Sequence, residues 1–312
     1  MAAALALSQR SRARTAPNPN VGCIGVDPAG RVAGRGWTQA GGRPHAEALA
    51  LAAAGERARG GTAYVTLEPC AHVSPRGPAC ADLLRESGVA RVVVALRDPD
   101  PRTDGAGIAR LRGAGVMVDV GVGEAAARRA MAGFLTRRAK ARPFVTLKLA
   151  LSLDGAVAMA DGRSQWITGD AARAHAHLER SRHEAILVGR GTWDADHPRL
   201  DVRLPGREAL APHRVVLSSR PVDGVDTIAR PEEIARLTGD HLLIEGGVVT
   251  AAAFLRAGLV DRLLLYRAPI LIGGGRTLPD IGLSDLGQAH GRWRLSDARQ
   301  LGSDRVEVYE AV

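Results

Sequence analysis

Aromatic residues make up only 3% of this chain. They do not alternate with basic residues, and no dense Lys/Arg run carries them, so a stacking groove for nucleic acid is disfavoured. Cysteine is also sparse. Three residues, Cys23, Cys70 and Cys80, cannot make the disulfide framework of a small secreted domain, which points to a reducing, cytoplasmic setting. No apolar run is long enough to span a bilayer, so no membrane partner is expected. Met1–Leu7 is apolar but short and precedes its basic residues, the reverse of a secretory signal. Neither Glu245-Gly246-Gly247 nor Gly273-Gly274-Gly275-Arg276 matches the spaced glycines of the dinucleotide-binding fingerprint. What remains is a 312-residue chain with 46% hydrophobic residues, enough for two domains with real cores. Its net charge of +9 comes from arginine spread along the sequence, which suits a small phosphorylated substrate.

Against this background His45-Ala46-Glu47 stands out, together with Thr66-Leu67-Glu68-Pro69-Cys70 and Cys80 beyond it. One imidazole and two thiolates are a zinc ligand set, and a catalytic zinc keeps its fourth position for water. If a helix opens at His45, Glu47 faces that water without binding metal. Zinc lowers the pKa of its water toward ~7, and a neighbouring carboxylate can carry a proton to a leaving amine. His-x-Glu followed by Pro-Cys and a second Cys is a signature of hydrolytic deamination of an amino-heterocycle. His-Ala-Glu alone would usually be a helix start, and Cys70 alone a small buried hydrophobe; the ordered combination carries the reading. Nine residues separate Cys70 from Cys80, so the second thiolate must come from a new helix turn after a loop.

The rest of the chain alternates strand and helix patterns, which predicts an α/β architecture. A short amphipathic helix over Ala2–Arg12 leads into a proline-interrupted loop, Thr15–Asn20. Strands are expected at Val21–Val26, Arg31–Thr38, Thr62–Leu67, Arg91–Leu96 and Val116–Val120, and helices near His45–Ala54, Pro78–Ser87, Gly107–Arg112 and Glu124–Lys140. The strand Thr62–Leu67 should deliver Cys70 to a helix N-terminus, which favours its thiolate. The basic run Thr136–Pro143 marks a boundary between domains 1–142 and 143–312. In the second, strands are expected at Phe144–Leu151, Ala185–Val188, His213–Ser218, His241–Ile244, Val260–Tyr266 and Arg305–Tyr309, with helices over Ala171–Arg182 and Thr250–Ala257. Glu245-Gly246-Gly247 before a helix presents backbone N–H groups to an anion, although a plain turn uses glycine as often. Gly273-Gly274-Gly275-Arg276 is equally ambiguous.

Taken together, these stretches resemble a known family across nearly the whole chain, the bifunctional deaminase–reductases of bacterial riboflavin biosynthesis. The resemblance is carried by Pro17-Asn18-Pro19-Asn20-Val21-Gly22-Cys23, His45-Ala46-Glu47 and the run Thr66 to His72. It continues in Lys148 with Ser152-Leu153-Asp154-Gly155, in Ser164-Gln165-Trp166-Ile167-Thr168, in Asp196 with Pro198-Arg199-Leu200, and in Glu245-Gly246-Gly247. It implies a cytidine-deaminase-like three-layer α/β/α domain followed by a dihydrofolate-reductase-like α/β domain. The implied chemistry is zinc-dependent hydrolysis of the 2-amino group of a diamino-hydroxy-phosphoribosylamino-pyrimidine, then NADPH reduction of the ribosyl group to ribityl. A homo-oligomer is implied as well. Carried over by position, His45, Cys70 and Cys80 would bind zinc, Glu47 would shuttle protons, and Asn20 would contact substrate. Ala150, Trp166, Thr192, Asp196 and Ser219 would contact NADP, with Gly246 and Gly247 opening a segment to Ala253 that holds its phosphates. Lys148, Ser164, Arg180, Leu200, Arg203 and Glu245 would contact substrate, the guanidinium forks of Arg180 and Arg203 matching its phosphate.

The chain also departs from that family. Its two cysteines are one residue further apart, Asp196-His197-Pro198 replaces Asp-Asp-Pro, and it starts a few residues short of the usual start. Between Ser219 and Glu245 it is much shorter, which predicts loss of a strand and a helix from the cofactor half and weaker NADPH binding. Two other readings stay open. One is a deaminase whose second domain is only structural or substrate-binding. The other is a non-catalytic, zinc-stabilised nucleotide-binding protein. Glu47 counts against the latter, because a structural zinc site closes its fourth position with a protein ligand.

Overall fold

Two units, Met1–Ala141 and Arg142–Val312, each build their own sheet. The computed structural model describes residues 1–72 and 74–312. In the first unit the order is α1 (Ala2–Ser8), β1 (Gly22–Val26), β2 (Val32–Trp37), α2 (Ala46–Ala54), β3 (Thr62–Val65), α3 (Cys80–Glu86) and β4 (Arg91–Val94), then α4 (Ala106–Gly113), β5 (Met117–Val120), α5 (Glu124–Ala130) and α6 (Ala132–Lys140). The sheet order is β2-β1-β3-β4-β5. β1 runs antiparallel to both neighbours, while β3, β4 and β5 are parallel. Val92, Val93 and Val94 are all buried, as a parallel strand covered on both faces requires.

Two glycines bring α2 down onto this sheet. A Cβ on Gly34 would overlap the Ala50 carbonyl, and one on Gly36 would overlap the Ala46 carbonyl. The helix that starts beside His45 therefore lies backbone-to-backbone on β2. Gly36→Ala is expected to cost the first unit about 1–3 kcal/mol through overpacking and to lower zinc retention with it. Urea unfolding together with metal analysis would check this; an unchanged midpoint and full zinc content would contradict it.

The single helix expected over 124–140 is two helices broken at Met131, whose backbone (φ −112°, ψ 22°) leaves the helical region. The cause is competition for one carbonyl. The Asn20 and Gln9 side-chain amides donate to Ala130 O at 3.1 and 3.3 Å. Met131 itself is fully buried in the core beside Phe134.

The second unit runs β6 (Phe144–Leu151), α7 (Asp170–Arg180), β7 (Ala185–Gly189), α8 (Arg190–Asp196), β8 (His213–Leu217), β9 (Asp226–Ile228) and β10 (His241–Glu245), then α9 (Val248–Arg256), β11 (Arg262–Arg267), β12 (Trp293–Leu301) and β13 (Asp304–Ala311). Its eight-stranded sheet has the order β12-β13-β11-β6-β10-β7-β8-β9. β13 is antiparallel to β11 and β12, and the remaining pairs are parallel. Both units are of the α/β class. The shortened stretch after Ser219 has kept more than its length suggests: β9 extends the sheet, and a 3-10 turn over Pro231–Arg236 follows it. Ile228 and Ile234 from these pieces are buried in the main core, which explains why they persist. Among the described residues no helix is long and apolar enough to cross a membrane.

Candidate active sites

His45 caps α2 with extended backbone (φ −72°, ψ 161°). Its Nε2 faces the Asn18 amide at 3.3 Å, which turns Nδ1 toward two sulfurs, Cys80 Sγ at 3.3 Å and Cys70 Sγ at 3.6 Å. Cys80 is the first residue of α3. Cys70 lies after β3 and outside any helix. The helix terminus it meets belongs to α3. The Cys80 N–H donates to Cys70 Sγ at 3.3 Å, and the Ala81 N–H donates to Cys70 O at 3.1 Å. The Cys70 carbonyl, on the second N–H of α3, stands where a capping oxygen usually would, and the sulfur takes the N–H before it.

The hydrogen bond from the Cys80 thiol holds Cys70 low, at about 4, with burial opposing it and His45 and the Cys80 N–H assisting. Cys80 is pushed upward by the same hydrogen bond and by burial. The pair shares one proton, which a divalent cation would replace. The three ligand atoms all lie within 4.8 Å of one another. Tetrahedral zinc with bonds of ~2.3 Å to sulfur and ~2.05 Å to nitrogen needs N···S separations of about 3.6 Å. The observed 3.3 and 3.6 Å fit that donor set.

His45 and Cys70 border a cavity of about 250 Å³. Glu47, in the first turn of α2, lines it and is 3% exposed. Burial pushes its carboxyl up to about 7, with His45 pulling the other way. Glu68 also reaches the cavity and organises its wall. Its Oε2 accepts from Gly105 N at 2.9 Å and Asp98 N at 3.3 Å, and its Oε1 from Ile108 N at 3.1 Å. Glu68 thereby caps α4 and ties Pro69-Cys70 to the turn after β4. That turn supplies Asp98 and Asp100. Burial raises Asp98 to about 6. Asp100 is gripped by Arg102 Nε at 3.0 Å and by one Arg138 nitrogen at 2.7 Å.

Sequence reasoning missed these wall residues, because Asp98-Pro99-Asp100-Pro101 looks like a plain turn. The usable signal was its position just past the carboxyl end of a parallel strand, where α/β sheets bind ligands. Asn20 needs a correction. It is buried, does not line the cavity, and uses its amide on Ser8 O and Ala130 O; the cavity asparagine is Asn18.

In the second unit the corresponding edge is the carboxyl end of β6, β10, β7 and β8. Lys148 and Glu245 are register partners there. Arg180, the last residue of α7, donates Nε and one terminal nitrogen to the two Glu245 oxygens, both at 2.8 Å, and its other terminal nitrogen to Asp201 O at 3.0 Å. Lys148 Nζ is 3.9 Å from Glu245. Burial would raise the Glu245 carboxyl, but Arg180 and Lys148 overrule it and hold it at about 2. The fork of Arg180 is thus occupied by Glu245, which corrects its expected role on a phosphate. Arg203 stays exposed, with its Nε on Asp201 at 2.9 Å.

The Leu200 side chain packs in a core with Ile186 and Val188, which leaves its backbone (φ 55°) for any contact with a ligand. Thr192 accepts from Gly247 N at 3.1 Å, so this N–H is not left open for a phosphate as expected. The stretch after Gly189 is the start of α8, and Gly189 is needed because a Cβ there would overlap Thr250 Oγ1. Gly246 and Gly247 lie between β10 and α9, and Ala150 is half-buried on β6. Asp196 and Ser219 are exposed after the carboxyl ends of β7 and β8. Ser164 and Trp166 lie in the exposed loop before α7, Trp166 under the Arg173 guanidinium at 5.0 Å.

Comparison with known proteins accounts for both halves. Residues 1–96 match the cytidine and deoxycytidylate deaminase zinc-binding region, and residues 143–228 and 224–306 match the RibD C-terminal domain. The riboflavin biosynthesis protein RibD of Escherichia coli is 40% identical over 97% of this chain and 96% of its own. That of Aquifex aeolicus is 37% identical over 99% and 97%. Among solved structures, Acinetobacter baumannii RibD superposes with a TM-score of 0.89 at 36% identity, covering 100% of this chain and 97% of its own. The diaminohydroxyphosphoribosylaminopyrimidine deaminase/5-amino-6-(5-phosphoribosylamino)uracil reductase of Thermotoga maritima gives 0.88 at 30% identity, with the same coverage. With relatives this similar along nearly their full length, the chain belongs to the RibD family of bifunctional deaminase–reductases of riboflavin biosynthesis.

Proposed function

We propose that residues 1–142 remove the 2-amino group of 2,5-diamino-6-(5-phosphoribosylamino)pyrimidin-4-one, and that residues 143–312 then reduce the ribosyl group of the product to ribityl with NADPH. The observation that carries the first step is the convergence of His45 Nδ1, Cys70 Sγ and Cys80 Sγ within 4.8 Å, beside a cavity that Glu47 lines. Zinc held there supplies the Lewis acidity that makes water a nucleophile near neutral pH. Glu47, buried in the cavity wall, takes the proton from the attacking water and returns it to the departing amine. Asp98 faces the cavity as an acceptor for an amino group of the ring, while Asp100 is taken up by Arg102 and Arg138.

For the second step, Lys148 and Glu245 stand at the sheet edge where substrate and nicotinamide would meet, and Arg180 fixes the Glu245 carboxylate. Arg203 is the guanidinium left to meet the substrate phosphate. The segment opened by Gly246 and Gly247 is assigned to the cofactor phosphates through amides beyond that of Gly247, which Thr192 already engages, and Ala150, Trp166, Thr192, Asp196 and Ser219 are assigned to the rest of NADPH. All three cysteines are free, which supports a cytoplasmic setting. Family membership supports a homo-oligomer.

An assay with the diamino substrate, with and without NADPH, tests the whole reading. The deaminated ribosyl product should accumulate without NADPH and the ribityl product with it; the same product in both would confine activity to the first unit. Zinc is expected at one per chain, and Cys80→Ser should lose most of it along with deamination. Full occupancy in that variant would remove Cys80 from the ligand set.

A further inference from the structure

Lys148 is one of only two lysines, with Lys140, among 42 cationic side chains. A chain that uses arginine almost everywhere has at position 148 a compact ammonium on a flexible four-carbon stem. Such a group needs something to hold it. Glu245 is a poor sole anchor, because both its oxygens already accept from Arg180 and the ammonium is 3.9 Å away.

The second surface is the Tyr266 ring, whose centroid lies 5.7 Å from Lys148 Nζ. Tyr266 sits on β11, register partner of Ala150, while Leu264 partners Lys148. The phenol therefore occupies the same sheet face one step along. It is 1% exposed, and its oxygen meets His175 Nδ1 of α7 at 2.7 Å. His175 Nε2 faces an Arg299 nitrogen at 3.4 Å. Arginine only donates, so Nε2 accepts there and Nδ1 carries the proton given to the phenol oxygen. Burial keeps the phenol un-ionised and the imidazole below its ordinary range. A neutral ring clamped at its far end offers a fixed negative face to a cation.

We propose that Tyr266 is a positioning residue of the reductase site: its ring, held by His175, seats the Lys148 ammonium beside Glu245 for contact with substrate. This rests on the reading of Lys148 and Glu245 as substrate contacts. The scarcity of lysine makes the test direct. Full-length protein labelled with 13C-lysine has two side-chain signals, and Lys140→Arg identifies that of Lys148.

In the wild type the Lys148 Hε resonances should be displaced upfield by the ring. Tyr266→Phe should keep that displacement and hold kcat for reduction of the deaminated substrate within about threefold. Tyr266→Leu should abolish the displacement and lower kcat about tenfold, the scale of one cation–π contact, with KM for NADPH and the deaminase rate unchanged. Undisplaced wild-type resonances, or full kcat in Tyr266→Leu, would overturn the proposal. If the leucine variant does not fold, the wild-type resonances decide, since an undisplaced Lys148 excludes the ring as the seat. A wild type that reduces nothing would sink the reductase reading, and the resonances would still report whether the ring holds Lys148.

Discussion

Glu47→Gln is expected to keep its zinc and lose about a thousandfold in deamination, the middle of the range for a positioned general acid–base. Glutamine fills the same buried space and still hydrogen-bonds, so α2 and the ligands beside it should stay in place. It cannot accept the proton of the attacking water. Reduction should persist when pre-deaminated substrate is supplied, because Lys148, Arg180 and Glu245 belong to the other unit. Ammonia release and zinc content, measured on the same sample, check this. Substantial turnover with zinc bound would remove Glu47 from the mechanism.

Arg180→Met should be the most damaging change in the second unit. It leaves the Glu245 carboxylate buried with only the 3.9 Å contact to Lys148. Breaking a buried pair by removing one partner costs about 3–5 kcal/mol, and reduction should fail with it. The pH dependence gives a sharper check. In the wild type the folded Glu245 titrates at about 2, below its ordinary 4.5, so the pair's contribution is complete at neutral pH and is lost as pH falls through that window. Without Arg180, burial dominates and raises Glu245, so the variant's deficit should be small in acid and grow as pH rises. Denaturant unfolding of both proteins at pH 4 and pH 8 measures the difference. An equal deficit at both values would mean that Arg180 does not hold this carboxylate.

What could be read from the sequence was chemistry written locally. His45, Glu47, Cys70 and Cys80 announce a metal by their types and order. The apolar runs of β6, β7 and β10 announce parallel strands. What could not be read depended on neighbours distant in sequence. Arg180 and Glu245 are 65 residues apart, and nothing in either stretch says that the fork of one is filled by the other. Asn18 and Asn20 share one proline-interrupted loop with no periodicity, so which of them faces the cavity is decided by Gly42 on one side and Ala130 on the other. β12 is exposed on both faces along most of its length, and so lacks the alternation that marks a half-buried strand. The break at Met131 follows from side chains of another segment competing for one carbonyl, a cause invisible within the helix.

The ten-residue step from Cys70 to Cys80 separates access from reaction. Both thiolates are fixed from outside the intervening loop, Cys70 by the first amides of α3 and Cys80 by the helix itself. Ser74, Pro75 and Arg76, inside the loop, line the cavity mouth. Access to the cavity is therefore shaped by residues that do not hold the donors, so a substitution at Ser74, Pro75 or Arg76 would change what enters and leave the donor triangle in place.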